Sequence, residues 1–228
     1  MRGLLFAICL TRQERPLPVT SMHPDALTPY LDPPPVVVVI TGPSGVGKDS
    51  ILREMRAQGG AFHFVVTATD REMRPGEVEG EDYIFVSTAE FERMIRENEL
   101  LEHACVYNQY KGVPKSQVRQ GLAAGKDVLL RVDVQGAETL CHRLPGIVAV
   151  FLAPPSMEAL AQRLRGRGTD TEKQIETRLK TAREEIALIE DFDYVVVNRQ
   201  GKQSQAAREI LSIIEAERLR TNRRPLDL

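Results

Sequence analysis

The sequence predicts a doubly wound α/β fold built on a parallel central sheet, and three observations predict it. An unbroken β-branched run, Val36 to Ile40, leads into a glycine-rich turn and then a helical stretch. Further apolar runs of strand length recur down the chain, separated by polar segments of helical length, as in βαβ units. One long polar segment carries apolar residues at three- and four-residue steps, the stripe of a helix lying on a sheet.

Residues 1–35 hold Pro16, Pro18, Pro24, Pro29 and Pro33 to Pro35, which forbid a continuous helix or central strand and make this an irregular tail. The domain opens at Val36, where a strand apolar at every position suits burial on both faces. Further strands are expected at Phe64 to Val66, Asp127 to Val132, Ile147 to Leu152 and Tyr194 to Val197. Helices are expected at Ser50 to Gln58, Pro155 to Arg165 and Glu172 to Phe192, the last from the stripe Ile175, Leu179, Ala182, Ile186 and Ile189. Between Thr67 and Pro114 the pattern changes to glycine turns, a short alternating strand Tyr83 to Val86, and a helix begun by Ser87 with Glu90 three residues later. This stretch reads as an inserted lobe, 67–114, between core segments 36–66 and 115–200; residues 201–228 supply a last core helix and a basic tail.

A formal net charge of -2 with no long basic run argues against a nucleic-acid surface and against a polybasic membrane stripe. Cys9, Cys105 and Cys141 are odd in number and widely spaced, so neither a disulfide framework nor a zinc ribbon is expected, and a reducing, cytoplasmic setting fits best. The histidines His23, His63, His103 and His142 show no ligand spacing. The apolar run Gly3 to Leu10 is too short to span a bilayer.

The chemistry starts at Gly42, Pro43, Ser44, Gly45, Val46, Gly47 and Lys48, a Gly-x-x-x-x-Gly-Lys loop between a buried strand and a helix. Its main-chain N–H groups and the positive helix end suit a β-phosphate, and the Lys48 ammonium suits the bridge between β and γ oxygens. Ser or Thr usually follows this lysine and binds magnesium; here Asp49 follows, with Ser50 next. Asp49 is a candidate magnesium ligand, although its charge beside a triphosphate is costly without the metal between them.

Thr67 to Tyr83, containing Arg71, Arg74 and the run Pro75-Gly-Glu-Val-Glu-Gly-Glu-Asp-Tyr83, closely resembles the nucleotide-monophosphate segment of the guanylate kinase family. Leu101-Glu102, Tyr110-Lys111-Gly112, Asp133-Val-Gln-Gly136 and Arg163 to Asp170 follow in the family's order, so the resemblance covers Val36 to Asn198. It implies a P-loop NTPase-type three-layer fold with an inserted GMP-binding lobe and a small lid, 163–180. It also implies ATP-dependent phosphorylation of GMP to GDP with magnesium, by a monomer or homodimer whose partners are the two nucleotides. By the same resemblance Arg71, Arg74 and Tyr83 grip the GMP phosphate, and Arg163, Arg167 and Arg178 close on the ATP phosphates. Glu102, assisted by Asp133, accepts from guanine N1–H and N2–H₂, Thr67 hydrogen-bonds the base, and Tyr110 and Lys111 belong to the same site.

The chain departs from the family where Lys111 and Val113 stand for the usual Tyr and Ser, and where Arg131 replaces a first Asp before Asp133. Lys111 is expected to supply a lost donor, and Arg131 to compensate Asp49. These variants resemble organellar plant guanylate kinases, which makes a plastid or mitochondrial location the alternative. Gly-Lys-Asp-Ser also resembles the loop of ribose 1,5-bisphosphate phosphokinase, and non-catalytic guanylate-kinase-like modules are the third reading. The guanine-binding segment argues against the former and the intact loop lysine against the latter.

Overall fold

The computed structural model describes residues 31–228 apart from 60, 75, 107, 108, 167, 169, 222–225 and 227. The tail expected over 1–35 therefore lies largely outside the described residues. Residues 33–228 cluster as one unit; of the other, 1–32, only Leu31 and Asp32 are described.

Strand β1 (Val37–Thr41) lies in the middle of a five-stranded parallel sheet and is buried at every position. It pairs with β7 (Asp127–Arg131) on one side and β8 (Val148–Ala153) on the other. The outer strands are β2 (Phe62–Phe64) beside β7 and β9 (Tyr194–Val197) beside β8. Alternation sorts the β1 side chains into two cores. Val38 and Ile40 pack with Ile51 and Met55 of α1 (Lys48–Ala57) and with Ile210 and Ile214 of α7 (Gln203–Arg218). On the opposite face Val37 and Val39 meet Val118 of α3 (Lys115–Ala123) and Ala137 and Leu140 of α4 (Val134–Arg143). Helices thus cover both faces, which is why β1 reads as a continuous apolar run. The strand order reverses at β1, so its C-terminal end and that of β7 border the crevice where ligands bind in open α/β sheets.

Residues 68–114 form a second sheet in the order β4 (Ile84–Phe85), β3 (Ala68–Thr69), β6 (Gln109–Pro114), β5 (Leu100–Val106). Helix α2 (Thr88–Arg96) covers it with Phe91 and Met94, packed on Ala68 and Leu100. Ser87 caps this helix as expected, its side chain accepting from Glu90 N at 3.1 Å. Asp70 ties the lobe together: its carboxylate accepts from Tyr110 N at 2.6 Å and from Thr88 Oγ1 at 2.9 Å.

Helices α5 (Met157–Gly166) and α6 (Glu172–Ala187) pack through Leu160, Leu164, Ile175 and Ala182, and Thr171 opens α6 with a capping box. The expected helix 172–192 ends at Ala187 and gives way to a 3₁₀ turn, Ile189–Asp191, because Ile186 and Ile189 leave the α5 contact and pack on the central core. The strand expected at 64–66 lies two residues earlier. The run Phe62 to Val66 is apolar apart from His63, so hydropathy alone cannot choose its paired half. Among the described residues no helix is long and apolar enough to cross a membrane.

Candidate active site

The glycine-rich loop leaves the C-terminal end of β1 and closes on the N-terminus of α1. Its first turn needs glycine: Gly42 has φ 133°, and a β-carbon there would overlap the main-chain carbonyl oxygen of Leu152. The loop is braced from outside by hydrogen bonds from two side chains. Asn198 Nδ2 donates to Val46 O at 2.8 Å, and Arg163 donates to Val46 O at 3.0 Å and to Asn198 O at 2.7 Å. Arg163, expected to close on phosphates, therefore has its guanidinium engaged by two main-chain carbonyls. Arg178 of α6 does reach the loop, donating to Ser44 Oγ at 2.6 Å while Asp170 accepts its other arm at 3.3 Å. Arg167 lies outside the described residues.

Lys48 folds back on the loop and donates to Gly42 O and to Pro43 O. Burial pushes its ammonium down to about 8, while the Glu185, Asp49 and Asp133 carboxylates pull it back up and Arg131 opposes them. These groups, with Gly42, Ser44, Thr67, Tyr83 and Lys111, line a cavity of about 260 Å³. Glu185 is the residue sequence reasoning missed. It stands seven positions after Arg178, two turns along the same helix face, and that spacing could have flagged it.

A larger cavity of about 750 Å³ opens beside the first, with Arg71, Arg74, Tyr83, Lys111 and Arg131 in its wall together with Arg53 and Arg56 of α1. Arg71 is buried and makes a two-pronged pair with Glu77, at 2.7 and 2.5 Å. These bonds hold the Glu77 carboxyl down at about 2. The Tyr83 ring stands among cations: Arg71 at 4.7 Å, Arg131 at 5.6 Å and Lys111 at 5.9 Å from its centroid. Ser44, Asp49, Tyr83, Lys111 and Arg131 line both cavities and so form the boundary between them. Across that boundary Arg131 Nη1 donates to Asp49 Oδ1, the pairing expected of these two departures. Ser50 lines neither cavity and accepts from Arg53 at 3.4 Å.

Glu102 projects from β5 with only 7% of its surface exposed. Burial pushes its carboxyl up to about 7, with the Asp133 carboxylate adding to the rise and Arg143 opposing it. Asp133 also caps α4, its Oδ1 accepting from Gly136 N at 2.8 Å, so one residue serves both helix and cavity. Strand alternation separates two neighbours expected in one site: Lys111 lines the cavities, whereas Tyr110 turns to the lobe core and stacks on Phe91 at 5.0 Å. Val113 is buried in the central core and lines neither of these two cavities.

A loop suited to phosphate and an arginine-lined chamber, meeting at a shared wall, can hold two phosphorylated ligands face to face. Transfer of a phosphoryl group then needs positioning and charge neutralisation rather than a covalent intermediate.

The family model described as guanylate kinase matches residues 35–217. Similar curated proteins include "Guanylate kinase 2, chloroplastic/mitochondrial" of Oryza sativa subsp. japonica, 46% identical over 92% of this chain and 73% of that protein. The guanylate kinase of Gloeobacter violaceus is 52% identical over 71% of this chain and 79% of its own. Among solved structures, guanylate kinase from Anaplasma phagocytophilum superposes with a TM-score of 0.65 at 34% identity, covering 83% of this chain and 89% of that one.

Proposed function

From the premise that this chain belongs to the guanylate kinase family, we propose how its residues divide the work of ATP-dependent phosphorylation of GMP to GDP. The observation that carries the assignment of roles is the shared wall between the two cavities. ATP takes the loop side: amides of Ser44, Gly45, Gly47 and the start of α1 receive its phosphates, and Lys48 exchanges carbonyl partners for β and γ oxygens. Arg178, with Arg167, clamps the migrating group, and Arg163 holds the loop in shape. GMP takes the larger chamber. Arg74, Tyr83 and Lys111 meet its phosphate there, Arg71 orders that pocket through Glu77, and the base reaches past the shared wall to Thr67 and Asp133 of the smaller cavity, which with the buried Glu102 read guanine.

Magnesium suits this donor set. Asp49 is a hard oxygen donor, its side chain 63% exposed on the boundary of both cavities. Among the described residues no three His, Cys, Asp or Glu side chains group to hold a metal. Such an ion would neutralise charge on the β and γ oxygens, with Asp49 as its protein ligand.

Coupling ADP release to GMP, AMP and ribose 1,5-bisphosphate in turn tests the reading. Turnover with GMP alone is expected; turnover with the sugar phosphate and none with GMP would overturn it. A cytoplasmic site of action is part of the same proposal, checked by the location of a C-terminal fluorescent fusion of the full chain.

A further inference from the structure

The cations around the larger cavity are not equivalent. Arg71 gives both arms to Glu77 and a third hydrogen bond to Glu72 O at 2.8 Å, with its side chain 6% exposed. That pair is neutral as a unit, so it offers little net charge to a phosphate dianion. Arg131 is different. Its ion-pair partner, Asp49, has a side chain 63% exposed, and an ion pair held half in water is readily exchanged. Its guanidinium also lies 5.6 Å from the Tyr83 centroid, on the wall common to both cavities. A guanidinium carries five N–H donors in a flat fork, so one edge can stay on Asp49 while another turns to a phosphate.

We propose that Arg131 is a direct ligand of the acceptor nucleotide's phosphate, working with Lys111, which stands at a similar distance from the Tyr83 ring, 5.9 Å against 5.6 Å. This rests on the assignment of the larger chamber to GMP and adds a residue to it. In this chain the acceptor phosphate is held by a guanidinium from the end of β7, shared with the first turn of α1. Loss of the charge at 131 is therefore felt in GMP binding before ATP or metal arrives.

The test is calorimetric titration of GMP into the full chain in EDTA, without ATP, for wild type, Arg131→Gln, Arg131→Lys, Asp49→Asn and the double variant Asp49→Asn with Arg131→Gln. Thermal melting of each variant confirms folding. The expected result is a loss of tenfold or more in GMP affinity for Arg131→Gln, undiminished in the double variant and partly recovered in Arg131→Lys. Asp49→Asn, which releases the guanidinium, binds GMP at least as tightly as wild type. Arg131→Gln within twofold of wild type overturns the proposal. So does recovery of affinity in the double variant, because Arg131 would then only neutralise Asp49. A wild-type chain that forms no GDP sinks the functional reading instead; the Arg131 assignment is judged on the affinity ratios between chains that bind.

Discussion

Arg131 Nη1 donates to Asp49 Oδ1 across 82 positions of sequence, joining the end of β7 to the first turn of α1. Side-chain exposures of 27% and 63% place the pair at the rim of the site rather than in the core. Exposed pairs of this kind contribute about 0–1 kcal/mol. Asp49→Asn is therefore expected to move the melting temperature by no more than about 4 °C in a chain of this size. A drop of about 10 °C by differential scanning calorimetry would show that the pair holds the fold together.

Gly42→Ala should do far more. The residue combines φ 133° with a β-carbon overlapping Leu152 O, and a backbone oxygen cannot rotate away. A loss of about 3 kcal/mol or more is expected, with ATP binding abolished. Gly201→Ala is the control: φ there is 69° but nothing lies within 4 Å, so only the backbone strain of about 1 kcal/mol applies. Equal melting temperatures for the two variants would contradict this account of the loop.

Arg163→Met removes the donors to Val46 O and Asn198 O. Hydrogen bonds from a charged group contribute about 1.5–3 kcal/mol each, less where water can replace them. The variant is expected to melt several degrees lower and to raise the Michaelis constant for ATP more than that for GMP. An unchanged melting temperature with a collapsed kcat would assign Arg163 to the transferring phosphoryl group instead.

The Glu102 carboxyl lies at about 7 in the fold, above its ordinary value of 4.5, chiefly through burial. Between those values the folded chain binds the extra proton, so this group's contribution to stability falls as pH rises from about 4.5 to about 7 and stays low above that. Glu102→Gln should accordingly gain melting temperature relative to wild type more at pH 8 than at pH 5. Guanine binding needs the charged carboxylate, so GMP affinity should climb through pH 7 in wild type. Glu102→Gln should keep only the part of that climb owed to the nucleotide's own phosphate. Identical pH profiles for the two chains would remove Glu102 from base recognition.

The central sheet was legible because β1, β7 and β8 are buried at nearly every position and so print as apolar runs; the outer β2 and β9 are only partly buried, yet Tyr194 to Val197 falls on the expected residues. Helices α3 and α4 were not singled out. Only Val118 and Gly121 of α3 are buried, and α4 starts at once after Asp133, which invites a reading as site alone. In the lobe, β4 falls inside the strand expected at Tyr83 to Val86, whereas β3 is two residues long, below any periodicity. Site residues were legible as a set of motifs, but sequence order cannot say which guanidinium already has a partner. Arg71 with Glu77, Arg163 with Val46 O, and Arg131 with Asp49 are facts of three dimensions.

The ring of Tyr83, placed among three cations on the wall between the cavities, has an optical consequence. The chain contains five tyrosines and no tryptophan, so excitation of this phenol is not drained to an indole. An anion that draws Lys111 and Arg131 toward itself changes the electric field on the ring, and with it the emission. Tyr110, stacked on Phe91 in the lobe core, supplies a steady background. The unlabelled protein thus carries its own fluorescent reporter at the point where its two substrates meet.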